Sequence, residues 1–158
     1  RKDLVEAARA HGSVWGGIGR GMKIGKEEVV GLLAAVERFM KLNHDSERQM
    51  LESRLRTVSE VLSDIPGLRT EVYMPEIANN VPHLNVEWNT QTITLSAQEV
   101  SNQLIQGDPA IEVGGHNWFR PNRKVASHWQ GITVSVWMLR PGEPQIVARR
   151  LRDILTAV

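Results

Sequence analysis

His83-Leu84-Asn85-Val86-Glu87-Trp88 alternates without a break, with Leu84, Val86 and Trp88 on one side and His83, Asn85 and Glu87 on the other. A period of two is the pattern of a strand that lays one face on a core. Arg69 to Met74 reads as a strand ahead of it. After it, Ser96-Ala97-Gln98-Glu99 is a capping box that opens a short helix through Val100 and Leu104. Gly107-Asp108-Pro109 closes that helix, and Ala110 to Val113 reads as a short strand. Ile132 to Leu139 is the clearest strand, with Ile132, Val134, Val136 and Met138 on one face. Pro141-Gly142-Glu143-Pro144 then turns the chain into a last helix, with Pro144 in its first turn. Ile146, Val147, Leu151, Ile154 and Leu155 would face the sheet.

Before Pro66-Gly67 the period is helical. Lys2 to Ala10 is a short helix-like piece ending near His11-Gly12. Val29, Val30, Leu32, Leu33, Val36, Phe39 and Met40 form one broad face of an amphipathic helix. Glu27 and Glu28 suit its positive N-terminal end. Asn43-His44-Asp45 breaks the pattern, with Asp45 expected as the N-cap of a helix carrying Met50, Leu51, Leu55, Val58, Val61 and Leu62. The order is three helices, then β-β-α-β-β-α. This is an α+β layer with helices on one face of a small, mostly antiparallel sheet. The expected boundary divides residues 1–66, connecting helices, from 67–158, a compact lobe.

The chain has 158 residues, enough to bury a core, and its 41% apolar and 23% charged content is that of a globular protein. A net charge of +1 gives no bulk surface for nucleic acid or acidic membrane. No apolar run is long enough to cross a bilayer. The absence of cysteine removes disulfides, thiolate metal sites and a Cys nucleophile, and fits a cytoplasmic location. The five histidines have no ligand spacing, so no metal is expected. No P-loop, Rossmann fingerprint or EF-hand loop is present.

Three places carry chemistry-bearing residues. Gly16-Gly17-Ile18-Gly19-Arg20-Gly21-Met22-Lys23-Ile24-Gly25-Lys26 combines glycines and cations ahead of a helix, as an anion site or as a plain surface connector. Gly114-Gly115-His116-Asn117-Trp118-Phe119-Arg120-Pro121-Asn122-Arg123-Lys124 mixes aromatics and cations. It reads better as a surface connection than as a base-stacking site, since it lacks an extended basic track. Arg140, at the end of the clearest strand, suits either a ligand carboxylate or a salt bridge to Glu143.

Arg1-Lys2-Asp3-Leu4-Val5-Glu6-Ala7-Ala8, the loop Gly19-Arg20-Gly21-Met22-Lys23-Ile24-Gly25-Lys26-Glu27-Glu28, and Met138-Leu139-Arg140-Pro141-Gly142-Glu143 with its helix resemble one family. It is the selenocysteine-synthase-like group of pyridoxal-phosphate enzymes, of aminotransferase fold type I. The resemblance covers nearly the whole chain and is weaker between Thr70 and Lys124. It implies the C-terminal part of a larger enzyme, with the Schiff-base lysine upstream of Arg1, since Lys2, Lys23, Lys26, Lys41 and Lys124 do not match that lysine's context. No catalytic residue is then expected in this segment. Arg20 and Lys23 fall on a pair of cations that hold anionic groups in the family, with Lys in place of Arg at the second position, which removes the fork geometry. Arg140 answers by fold analogy to an arginine for the substrate carboxylate.

The resemblance implies ammonia-lyase-type β-elimination from a small acidic or phosphorylated amino compound, with pyridoxal 5'-phosphate as electron sink. It also implies a cofactor-binding large domain as partner and a homo-oligomer. Selenocysteine synthesis on seryl-tRNA ranks lower because it needs a tRNA-binding surface. A non-catalytic interaction domain is the third reading.

Overall fold

The computed structural model describes residues 1–12, 17–76, 80–116 and 123–157. They fall into two compact units, Arg1–Asn43 and His44–Val158.

The first unit holds α1 (Lys2–His11), a single 3-10 turn (Ile18–Gly21) and α2 (Lys26–Lys41). Gly17 and Gly19 are needed for close approach. A Cβ on Gly17 would stand 2.7 Å from the Ala10 carbonyl, and one on Gly19 2.5 Å from that of His11. These glycines therefore seat the turn on the end of α1. Positive φ, expected of this loop, occurs among the described glycines only at Gly67 and Gly142. In α2, Arg38 and Lys41 complement the negative C-terminal end. Its apolar stripe is bare, with Phe39 61% exposed, and neither α1 nor α2 has a buried residue.

The second unit is a four-stranded antiparallel sheet, order β1-β2-β4-β3, with three helices. Its elements are α3 (His44–Leu62), β1 (Leu68–Tyr73), β2 (His83–Asn89), α4 (Ala97–Ile105), β3 (Gly114–Gly115), β4 (Trp129–Ser135) and α5 (Glu143–Thr156). The expected α+β architecture and the β-β-α-β-β-α order are both present. Leu84, Val86 and Trp88 of β2 and Ile132 and Val134 of β4 share a core with Leu55, Val58 and Leu62 of α3, Val100 and Leu104 of α4, and Leu151 and Leu155 of α5. Trp88 buries its indole and satisfies it by donating from Nε1 to the Leu95 carbonyl at 2.7 Å. Arg152 of α5 donates to the Val61 carbonyl of α3 at 2.6 Å and pairs with Asp64. The capping box forms: Ser96 Oγ accepts from the Glu99 N–H at 3.2 Å, and Glu99 Oε2 accepts from the Ser96 N–H at 2.8 Å.

The helix expected as a connector, α3, buries its stripe in the sheet's core, and the compact unit that holds the sheet begins at His44. Three local expectations are corrected. Asp45 is not an N-cap, because α3 already starts at His44 and Asp45 lies in its first turn. Residues 110–113 form no strand: the Ile111 N–H donates to the Leu104 carbonyl, and the two-residue β3 that follows pairs with Ile132 and Thr133 instead. Finally, β4 ends at Ser135, so Met138 leaves the alternation and is exposed.

Candidate functional site

The second face of the sheet is polar and nevertheless buried. His83, Asn85 and Glu87 point there from β2, with Thr133 opposite Asn85 on β4. Thr133 Oγ1 stands 3.0 Å from both Asn85 Oδ1 and the Gly115 carbonyl. His83 Nδ1 lies 2.8 Å from the Val81 carbonyl, and burial pushes this imidazole's pKa down, toward its neutral form.

Glu87, 1% exposed, is the centre of a charge cluster that the sequence reading did not single out. Arg69 Nε donates to its Oε2 at 2.7 Å, His116 Nε2 lies 2.7 Å from Oε1, and Arg123 grips both oxygens. Arg123 also pairs with Glu71 at 3.1 Å. Burial would raise the Glu87 pKa, but the hydrogen bonds from Arg123, His116 and Arg69 outweigh it and hold the carboxyl at about 2. Two arginines face two carboxylates, so the cluster spends its charge internally. It ties both flanks of the β3–β4 connection, His116 and Arg123, to the central strand. The available sequence signal was a glutamate inside an apolar alternation, a residue depleted in strands. Asn117, Trp118, Phe119 and Arg120, the aromatic and cationic part of that connection, lie outside the described residues.

The sequence-derived cations sit elsewhere. Arg20 lies within the 3-10 turn, and Lys23 lies in the link to α2; both are exposed and have no partner among the described residues. The helix end beyond them is not bare. The carboxylates of Glu27 and Glu28 fold over Gly25, where a Cβ would collide with both. An anion at this loop would therefore meet the two cations and not the open N-terminus of α2.

Arg140 belongs to the other unit, in a turn after β4. Its backbone N–H donates to Glu143 Oε2 at 2.6 Å, and the Glu143 N–H returns to the Arg140 carbonyl at 3.1 Å. The salt bridge weighed for this pair is thus replaced by a side chain–backbone contact. The guanidinium is exposed and unpartnered among the described residues.

The lysines do not fit a pyridoxal-phosphate cradle. A Schiff-base lysine needs a sheltered position where the amine can be neutral. Lys2, Lys23, Lys26, Lys41 and Lys124 are all exposed, and two of them form surface pairs, Lys2 with Glu6 and Lys41 with Glu37. No grouping of His, Asp or Glu among the described residues could hold a metal ion. None of the described helices is long and apolar enough to cross a membrane.

No family model matches the chain. It is 30% identical over 154 residues to a D-glucosaminate-6-phosphate ammonia lyase of Salmonella typhimurium, an alignment covering 98% of this chain and 37% of that protein. It is 26% identical over 155 residues to a 5'-C-glycyluridine monooxygenase-decarboxylase of a Streptomyces species, covering 98% of this chain and 36% of the relative. A solved structure of D-glucosaminate-6-phosphate ammonia-lyase superposes with a TM-score of 0.58 at 30% identity, over 88% of this chain and 34% of that one. The chain thus spans little more than a third of the length of the curated relatives it matches. Sequence and fold agree: nearly the whole chain is homologous to the C-terminal part of a D-glucosaminate-6-phosphate ammonia lyase.

Proposed function

We propose that this chain is the C-terminal part of a pyridoxal-phosphate-dependent lyase that removes ammonia from a small acidic or phosphorylated amino compound. The observation that carries the reading is the 30% identity spread over 98% of the chain, supported by the match in fold. The cofactor would be bound by residues outside these 158, since none of the five lysines offers a sheltered amine. The segment's own share is charge placement. Arg20 and Lys23, both exposed and without an ion pair among the described residues, would hold an anionic group such as a phosphate, while Arg140 would hold a substrate carboxylate. The bare stripe of α2 would be covered by the large domain or by a second subunit of a homo-oligomer. The resemblance supports both readings of that stripe.

The test is an assay of the full-length protein for bound-cofactor absorbance and for ammonia released from D-glucosaminate 6-phosphate. Release that depends on the cofactor supports the reading. A protein that binds no cofactor after reconstitution contradicts it. The monooxygenase-decarboxylase relative supports a second chemistry on an amino-acid-bearing nucleoside, ranked lower at 26% identity. Consumption of oxygen in place of ammonia release would select it.

A further inference from the structure

β1 is an edge strand of the sheet, six residues long, while β3 at the opposite edge has two. Its pairing with β2 is continuous, and it lacks the proline, bulge or lysine that commonly guards such an edge. The phase of its hydrogen bonds follows from its start. The Asn89 N–H donates to the Gly67 carbonyl at 2.9 Å. In the register that sets Arg69 against Glu87 and Glu71 against Asn85, the odd-numbered residues therefore bond to β2. Thr70 and Val72 turn their N–H and C=O groups outward, as Leu68 does its carbonyl. The Leu68 N–H is already donated to the Ile65 carbonyl at 3.2 Å. Among the described residues, no backbone group outside the ladder bonds to Thr70 or Val72. Ser59 of α3 reaches the Thr70 hydroxyl at 2.7 Å, but Val72, on the same face, is left 52% exposed.

An antiparallel partner must set its own outward residues against these. If the partner is a second copy of β1, the two-fold axis then passes through one residue. An axis at Arg69 sets arginine against arginine, and one at Glu71 sets glutamate against glutamate. An axis at Leu68 or Val72 draws Pro66 or Pro75 into the pairing. An axis at Thr70 does none of these. It places Arg69 opposite Glu71 of the second copy, and the symmetry repeats the pair. It also places Val72 opposite Leu68. Facing opposite charges and facing apolar residues both stabilise a strand pair, and facing like charges destabilise it. The Arg69 and Glu71 side chains are 50% and 42% exposed, so each has room for a partner besides Glu87 and Arg123.

We propose that β1 is a self-complementary dimer edge: two copies of this chain join their sheets antiparallel about Thr70, with Arg69 of each copy facing Glu71 of the other. The Thr70 and Val72 N–H groups then donate to the Thr70 and Leu68 carbonyls of the second copy, and Leu68 of that copy covers Val72. The inference concerns a different element from the α2 stripe and does not depend on the lyase reading.

The experiment is disulfide trapping in the full-length protein, with the linked peptides identified by mass. These 158 residues contain no cysteine of their own. Facing residues of a hydrogen-bonded antiparallel pair have Cα atoms about 5.5 Å apart, within the span of a disulfide. Under mild oxidation T70C should therefore join to itself across the axis. E71C should not, because its own copy is a diagonal neighbour about 7–8 Å away. V72P removes an N–H that β2 does not use, so the fold should hold. The dimer dissociation constant, read by sedimentation, should rise about tenfold or more, since each backbone bond is lost with its symmetry mate. If V72P does not fold, T70C against E71C decides alone. Trapping at E71C in place of T70C would overturn the register and its charge pairs. A protein that is monomeric at every concentration, or an oligomer that traps at neither position, overturns the proposal. So does protection of the Thr70 and Val72 amides from hydrogen exchange in a monomer, which would assign the edge to a segment outside these residues.

Discussion

Arg69 and Glu87 face each other across the β1–β2 pair, Nε to Oε2 at 2.7 Å, while the guanidinium lies 3.9 Å from the Trp129 ring centroid. The buried carboxylate is thereby locked from the strand side by Arg69 and from the connection side by His116 and Arg123. Removing one member of a buried ion cluster strands the others. Glu87→Ala should therefore destabilise the fold by about 3–5 kcal/mol, read from the midpoint of urea denaturation. A loss below about 1 kcal/mol would show that the arginines find water instead.

The same cluster sets an acid limit. The Glu87 pKa is depressed from the ordinary 4.5 to about 2. Unfolded chains therefore take up the proton first, and the stabilisation is complete above about pH 4.5. It is lost as pH falls toward 2, to the extent of about 3 kcal/mol. Denaturation measured from pH 6 down to pH 2.5 should show this slope, and Glu87→Gln should flatten it. An unchanged slope in the variant would assign the acid sensitivity to other carboxylates.

The capping box at α4 is a simpler case. Ser96→Ala removes the acceptor for the Glu99 N–H and should cost about 1 kcal/mol. Thermal or chemical melting would read it, and Ser96→Asp should recover most of the loss.

Gly142 lies in the left-handed region at φ 89°, and a Cβ there would meet nothing within 4 Å. Gly142→Ala is therefore strained through its backbone alone, by about 1 kcal/mol. The variant should remain folded. The midpoint of urea denaturation would read the loss.

For the loop cations, the double variant R20A/K23A in the full-length protein should raise KM for a phosphorylated substrate at least tenfold. An unphosphorylated analogue should be affected much less, since the lost charges face the phosphate. Equal loss for both compounds would place the pair outside the phosphate site.

Periodicity made much of the fold legible. The alternation of 83–88 identified β2, the Ser96–Glu99 spacing gave α4 its start, and Pro144 marked the entry to α5. Burial on both faces did not show, because His83, Asn85 and Glu87 look like an exposed polar side until Arg69, His116 and Arg123 arrive from distant positions. Local pattern also missed the end of β4, where turn hydrogen bonds outweigh a continuing apolar alternation at Met138. Residues 110–113 misled for a similar reason: a short apolar run has the period of a strand whether its N–H groups find a sheet or a helix end. Of the proposed site, Arg20, Lys23 and Arg140 were legible as cations in loops and turns. The exposure of Trp137 and Met138 was not, because exposure is a tertiary property.

The central claim is that this segment serves a cofactor held elsewhere in the protein. Borohydride reduction of the full-length holoenzyme, followed by peptide mapping, locates the lysine joined to pyridoxal phosphate. The expected result is a modified lysine outside these 158 residues. Modification of Lys2, Lys23, Lys26, Lys41 or Lys124, or no modified lysine at all, would contradict it.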